Sequence, residues 1–185
     1  MLWDNSLVSV WQPSPRNGKK ATQGCPCGYF NDKSRECLCT PPMIQRYIAK
    51  ISGPLLDRID IHIEVPAVQY KELRGSASAE GSAHIRARVL AARERQRDRF
   101  RQHKEKIYAN AQMNTRQIRA YCELGADAER LLERAMQQQG LTARAHDRIL
   151  KVARTIADLD NSEGVKPHHL NEAINYRMLD RNLWT

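Results

Sequence analysis

No G-x-x-x-x-G-K-[ST] run occurs anywhere in these 185 residues. The chain therefore lacks the loop whose backbone N–H groups cradle nucleotide phosphates. Nor does an apolar strand ending in paired acids, suited to hold Mg²⁺, precede Cys25. The lone Gly18-Lys19-Lys20 does not substitute. On these grounds the chain is expected not to hydrolyse ATP alone. No apolar run approaches the ~20 residues that cross a bilayer, and no secretory or transit segment is recognisable. The expectation is a soluble, cytoplasmic protein without a membrane partner. Acids are outnumbered, 21 Asp and Glu against 30 Lys and Arg, giving a formal charge of +9. Such a surface favours an anion-rich partner, with nucleic acid the usual candidate beside nucleotide or acidic protein. The length allows one or two domains and a real core.

What is present begins with cysteine. Cys25-Pro26-Cys27-Gly28 and Cys37-Leu38-Cys39 form two close pairs, while Cys122 stands alone. Two short clips can deliver four thiolates to one tetrahedral ion, and Gly28 with the polar loop 31–34 lets the second clip fold back on the first. Zinc at Cys25, Cys27, Cys37 and Cys39 is one reading. One residue within each pair is shorter than the usual two to four, so four reduced thiols remain the other. A disulfide framework is disfavoured in a cytosolic setting. Cys122 reads as a small core residue.

Thr40-Pro41-Pro42 opens a helix, with Thr40 at the N-cap and Pro41 at the first helical position. Ile44, Tyr47, Ile48 and Ile51 give it one apolar stripe, and Gly53-Pro54 ends it. Ile59, Ile61, Ile63 and Val65 alternate with Asp60, His62 and Glu64, which predicts a strand with its isoleucine face buried and His62 on the surface. Residues 67–81 are small and polar, a connector.

A long basic helix comes next, over about 82–107. Ile85, Val89, Ala92 and Phe100 give it a thin stripe; arginines fill the rest. Arg93, Arg97 and Arg101 stand four apart, a row that suits a phosphate backbone. The competing reading is a solvated face balanced by Glu94, Asp98 and Glu105. Four shorter segments close the chain. Helices are predicted over about 114–124, 126–139, from Thr142 to about 159, and from Pro167 to about 178. Gly140 suits the end of the second and Thr142 the N-cap of the third. His168 and His169 are adjacent and read as surface residues. Arg144 falls in a first helical turn, where a cation gains nothing from the helix dipole.

CPCGYF, CxCTP, the run from Ile44 to Pro66 that contains SGPLLDRIDIHIEV, and LTARAHDRILKVARTIADL stand in one order. Together they resemble the C-terminal part of the magnesium-chelatase-like AAA+ ATPases, in their competence-type YifB/ComM group. The resemblance covers about Cys25 to Trp184. It implies a mainly α fold: a C-terminal AAA+ lid bundle, a remnant of the α/β ATPase core, and a Cys-rich loop. The implied organisation is an atypical N-terminal segment at 1–24, open to a disordered reading, the end of the core at 25–66, a linker at 67–81, and the basic helix with the lid at 82–185. Arg58 is similar to the arginine finger that reaches a neighbouring subunit's γ-phosphate, because a guanidinium fork neutralises charge on the transferring oxygens. Without the resemblance, Arg58 reads as a surface partner of Asp57 or Asp60. Arg144 resembles the sensor-2 arginine. Where the family carries Asn-Pro before CPCG, as sensor 1, this chain has Gln23-Gly24. Gln still donates a hydrogen bond but is one methylene longer.

The chain is then expected to be a piece of a ring-forming ATPase that uses ATP and Mg²⁺ when complete and acts in competence or recombination, by helicase-like branch migration of DNA. The basic charge and the lack of a porphyrin-handling feature favour this branch over Mg²⁺ insertion. The alternative is a zinc-stabilised nucleic-acid-binding module without enzymatic activity.

Overall fold

Pro41 opens the first helix of the computed structural model, which describes residues 25–30, 35–50, 59–63, 80–103 and 106–177. In this helix, α1 (Pro41–Ile48), proline sits where no intrahelical N–H is required. Thr40 occupies the N-cap position but its hydroxyl caps nothing. Its carbonyl instead receives the N–H groups of Met43 and Ile44, at 2.9 and 3.1 Å. Ile44, Tyr47 and Ile48 form the half-buried stripe; Ile51 and Gly53-Pro54 lie outside the described residues.

The chain divides into two units. One comprises 1–59, 64–67 and 179–185 and contains the cysteine loop and α1. The other comprises 60–63 and 68–178. It contains α2 (Ser82–Phe100), a 3₁₀ turn (Asn110–Gln112), α3 (Thr115–Tyr121), α4 (Ala126–Gln139), α5 (Ala143–Leu159) and α6 (Pro167–Asn175). The fold is mainly α, as the sequence predicts. Among the described residues there is no strand, only an isolated parallel bridge between Leu124 and Val165.

Local chemistry sets the helix ends. Asn114 and Gln117 cap α3 reciprocally: the Gln117 N–H donates to the Asn114 side chain at 3.0 Å and the Asn114 N–H to the Gln117 side chain at 2.9 Å. Thr142 caps α5, its Oγ1 accepting from the Ala145 N–H at 3.2 Å. After α4, Gly140 takes the left-handed conformation, φ 50°, and Leu141 N–H reaches back to the Met136 carbonyl at 3.1 Å. After α5, Asn161 does the same at φ 57°, and Ser162 N–H bonds the Ala157 carbonyl at 2.8 Å. Asparagine tolerates this region better than most residues.

Helix α5 is the centre of this unit. It packs on α2, α3, the 3₁₀ turn and α6, and α4 packs on α6. Ile149, Ala153 and Ala157 of α5 and Leu170 of α6 are fully buried. Phe100 meets Tyr121 and His103 edge-on, with ring centroids 5.7 and 5.9 Å away. This ring cluster turns the chain, so α2 stops at Phe100 rather than near Ile107. The N-terminal half of α2 is exposed on all sides, Ile85, Val89 and Leu90 included.

The expected strand over 59–65 takes another form. Its described part, 59–63, is irregular, and His62 N–H donates to the Tyr176 carbonyl at 2.9 Å, at the end of a helix rather than to a neighbouring strand. Over 61–63 the facing is reversed, Ile61 and Ile63 being exposed and His62 half-buried, while Ile59 is half-buried and Asp60 exposed as expected. Period-2 alternation marks two faces; the contact that forms decides which one turns inward. His169 also departs from the surface reading, being fully buried. Its Nδ1 accepts from the Lys166 N–H at 3.0 Å and its Nε2 meets Asp160 Oδ2 at 3.0 Å.

A buried ionic network joins α2 to α5. Asp158 is 2 % exposed. Arg99 grips it with both terminal nitrogens, Nη1 to Oδ2 at 2.8 Å and Nη2 to Oδ1 at 2.5 Å. Arg154, 3 % exposed, donates to it from Nε at 3.2 Å and Nη2 at 2.9 Å. Arg154 also donates to the carbonyls of Ser162 and Glu163, and Asn110 Nδ2 reaches Asp158 at 2.8 Å. Burial pushes the Asp158 carboxyl upward, but the bonds from Arg99 and Asn110 and the two cations outweigh it and hold the carboxyl below its ordinary value. Asp158→Ala leaves two guanidinium groups uncompensated and is expected to cost about 3–5 kcal/mol. Glu94→Ala, which opens an exposed pair, is expected to cost no more than ~1 kcal/mol. Denaturant unfolding of both variants checks this. Since the folded pKa is depressed, the stabilisation from Asp158 is complete above the unfolded value of about 4 and is lost as pH falls through the lower folded value.

Candidate functional site

The cysteine loop is built on a tight turn. Gly28 N–H bonds the Cys25 carbonyl at 3.2 Å, and Gly28 adopts φ 88°, which a residue with a Cβ rarely takes. Arg35, near the second clip, donates to the Tyr29 hydroxyl at 2.7 Å and lies over its ring at 5.1 Å. These contacts join the two ends of the loop.

The four sulfurs converge. Cys25 and Cys27 Sγ are 3.3 Å apart, Cys27 and Cys37 3.6 Å, and Cys37 and Cys25 3.7 Å. All four, Cys39 included, lie within 4.8 Å of one another. A tetrahedral ion with sulfur ligands at ~2.3 Å spaces them about 3.8 Å apart. The thiols present therefore fit a metal, and Cys25, Cys27, Cys37 and Cys39 would hold it; none of them is in a disulfide.

Electrostatics agree with the donor set. The Tyr29 backbone N–H, aided by neighbouring thiols, lowers Cys27 to about 6. Cys37 is pushed up to about 12: a bond from the Cys39 backbone favours its thiolate, but burial and the adjacent Cys27 and Cys25 outweigh it. Cys39 is raised in the same way against a bond from the Cys27 backbone. One thiolate thus suppresses the next, and a divalent cation is what permits several to ionise together.

Asp160, His168 and His169 also bring their ligand atoms together, but they do not fit a metal. The Lys166 N–H occupies His169 Nδ1, so neutral His169 carries its proton on Nε2 and donates it to Asp160. The lone pair that an ion needs is absent. The group instead fastens the start of α6 to the end of α5.

Arg144 lies exposed in the first turn of α5, and among the described residues it has no ion-pair partner. Arg93 and Arg97 are exposed on α2, and Arg101 is exposed at its C-cap. Arg97 pairs with Glu94 at 3.0 Å and Arg101 with Asp98 at 2.8 Å. Both pairs are solvent-facing and open at little cost. Arg95 and Arg99, which alternate with this row in sequence, are spent on Asn161 and Asp158. Arg58 and Gln23 lie outside the described residues. Sequence reasoning overlooked the pair between Arg148 and Asp60, for which no local spacing gives a signal. It also overlooked Arg154 and Asp158, whose i, i+4 spacing was a usable one.

Residues 79–177 match the family model "Magnesium chelatase, subunit ChlI C-terminal", and residues 19–73 match "Magnesium chelatase, subunit ChlI". The chain is 41% identical to YifB of Salmonella typhimurium over 178 residues. It is 40% identical to YifB of Escherichia coli and to competence protein ComM of Haemophilus influenzae, each over 178 residues. Each alignment covers 96% of this chain and 31% of the relative, so the chain spans about a third of the length of these proteins.

The exposed Cys27 and buried Cys122 make a chemical contrast. Burial pushes Cys122 up to about 11, against the pull of Arg154 and Arg99. In the metal-free native protein, Cys27 is expected to be alkylated first. Its rate should rise through pH 6 and level off above pH 7, the thiolate being the nucleophile. Cys122 should stay unmodified until the protein unfolds. Peptide mass spectrometry of iodoacetamide-treated protein reads both.

Proposed function

This chain belongs to the magnesium chelatase ChlI family, and on that premise we propose that it supplies the lid and the end of the core of an AAA+ ATPase that acts on DNA. Residues 25–66 close the core, 67–81 form the linker, and 82–185 form the basic helix and the lid. The observation that carries the reading is Arg144: a cation in the first turn of a buried helix, disfavoured there by the dipole, exposed and unpaired among the described residues. Nucleotide phosphate supplies the missing partner. In the assembled ring, Arg58 reaches the γ-phosphate held by a neighbouring subunit, and Gln23 takes the place of the sensor that orients the attacking water. ATP with Mg²⁺ is bound by a phosphate-cradling segment that this chain does not contain. The name of the Haemophilus relative supports a role in competence, and the arginine row on α2 supports DNA as the polymer handled.

Zinc is the metal whose ligand chemistry best suits four thiolates. Bound there by Cys25, Cys27, Cys37 and Cys39, it would serve a structural role, tying the two clips together.

The experiment joins this chain to a P-loop-bearing core from the same family. ATP turnover is expected, and Arg58→Ala should lower kcat about 10³-fold or more while assembly persists. Normal turnover by that variant would sink the arginine-finger assignment.

A second reading is favoured by the convergent thiols and the exposed arginines of α2: a zinc-stabilised nucleic-acid-binding module without catalysis. It predicts about one zinc per chain, removed by a strong chelator, and duplex DNA binding that weakens with salt. Replacing Arg93, Arg97 and Arg101 by Ala should flatten the log affinity against log salt slope by about 2.7, ~0.9 for each phosphate no longer neutralised. An unchanged slope removes these residues from the interface.

A further inference from the structure

The four converging sulfurs are not equally open to water. Cys25 is 1% exposed, Cys37 and Cys39 are half-buried, and Cys27 is exposed. Cys27 also stands between two of the others, 3.3 Å from the Cys25 sulfur and 3.6 Å from the Cys37 sulfur. A disulfide needs about 2.05 Å, so either neighbour closes on Cys27 by a shift of roughly 1.5 Å. The two closures differ in what they ask of the backbone. A bond to Cys25 makes a very small ring through Pro26, whose φ is fixed. A bond to Cys37 spans 10 residues and joins the two clips, which the Tyr29–Arg35 contacts already hold near one another.

We propose that this cluster is a site of reversible oxidation by hydroperoxide: Cys27 is oxidised first, Cys37 resolves it as a disulfide across the clips, and the chain loses its hold on the metal. The Cys27 sulfur attacks one peroxide oxygen and the O–O bond breaks. That oxygen stays on sulfur as a sulfenic acid, and the other leaves as water. The Cys37 sulfur then attacks Cys27; an S–S bond forms, the S–O bond breaks, and the second oxygen leaves as water. The two sulfurs give two electrons to the peroxide. Their two protons, or two from solvent where they were held as thiolates, complete the waters. Cys25 and Cys39 then remain, two donors where a closed tetrahedral site takes four. Loss of metal rests on the zinc reading given above, whereas the disulfide is read on the sulfurs themselves.

The test treats this chain, loaded with zinc, with hydrogen peroxide. About one zinc per chain should pass to a chromogenic chelator, in step with the loss of two free thiols, and the site should take up zinc again after reduction by dithiothreitol. Trypsin cuts after Lys33 and Arg35, so the clips fall in separate peptides, 21–33 and 36–46. These two peptides should be recovered cross-linked, with Cys122, 4% exposed, unmodified. With dimedone present, the first adduct should form on Cys27. In Cys37→Ser the yield of that adduct should rise several-fold, the resolving sulfur being gone. A disulfide confined to 21–33, or a first adduct on Cys37 or Cys39, would overturn the assignment. A cross-link that forms while zinc stays bound would overturn the loss of metal. A chain that takes up no zinc counts against the metal reading, and the peptide cross-link then decides the oxidation site by itself.

Discussion

A carboxylate shut away from water must find positive charge, and Asp158 finds it twice, in Arg99 on α2 and in Arg154 one turn back on α5. The second cation is tolerable because the carbonyls of Ser162 and Glu163 accept its remaining donors at the C-terminal end of α5, where the helix dipole favours positive charge. This one arrangement fixes the end of α5, the turn after it and the C-terminal half of α2. Around it, Ile149, Ala153, Ala157 and Leu170 supply non-directional burial. Burial alone would let α2 rotate or slide; the fork of Arg99 on Asp158 admits one register. The network thus specifies geometry, while the aliphatic core provides most of the driving force.

The same constraint sorts the arginines of α2. Charge by itself does not distinguish Arg99 from Arg97 or Arg101, but the structure does. Arg99 is committed to the interior, Arg95 to the turn after α5, and the row of Arg93, Arg97 and Arg101 faces water, the latter two with weak partners that an anion can displace. In the other unit the directional element is the sulfur cluster. Four thiols this close resist ionising together, and a divalent cation removes that resistance.

What the sequence disclosed was local. The N-cap role of Thr142, the stop at Gly140, the span of α4 and the opening of α1 at Pro41 follow from caps and backbone preferences within a few residues, and the structure has all of them. Convergence of the four cysteines was legible because two short clips leave few other arrangements. What was hidden depends on partners far away in sequence. Arg99 with Asp158 and Arg148 with Asp60 are 59 and 88 residues apart, and no periodicity reports such pairs. The alternation over 59–65 predicted a strand, but its described part, 59–63, is irregular, with Ile61 and Ile63 exposed and His62 half-buried. His169 was read as exposed because two adjacent polar residues at a helix start carry no apolar period, whereas its position at the start of α6 made it a cap for the Lys166 N–H. Arg58 and Gln23 lie outside the described residues, and their roles stand on the family resemblance.

The central claim is that this chain presents arginines to a nucleotide it cannot itself cradle. ATP turnover by the isolated, folded chain, measured with Mg²⁺ and with and without DNA, tests it most directly. The account predicts no hydrolysis above the uncatalysed background under any of these conditions. Reproducible turnover that co-purifies with the chain and is lost in Arg144→Ala would contradict it, since a phosphate-binding site would then lie within these residues.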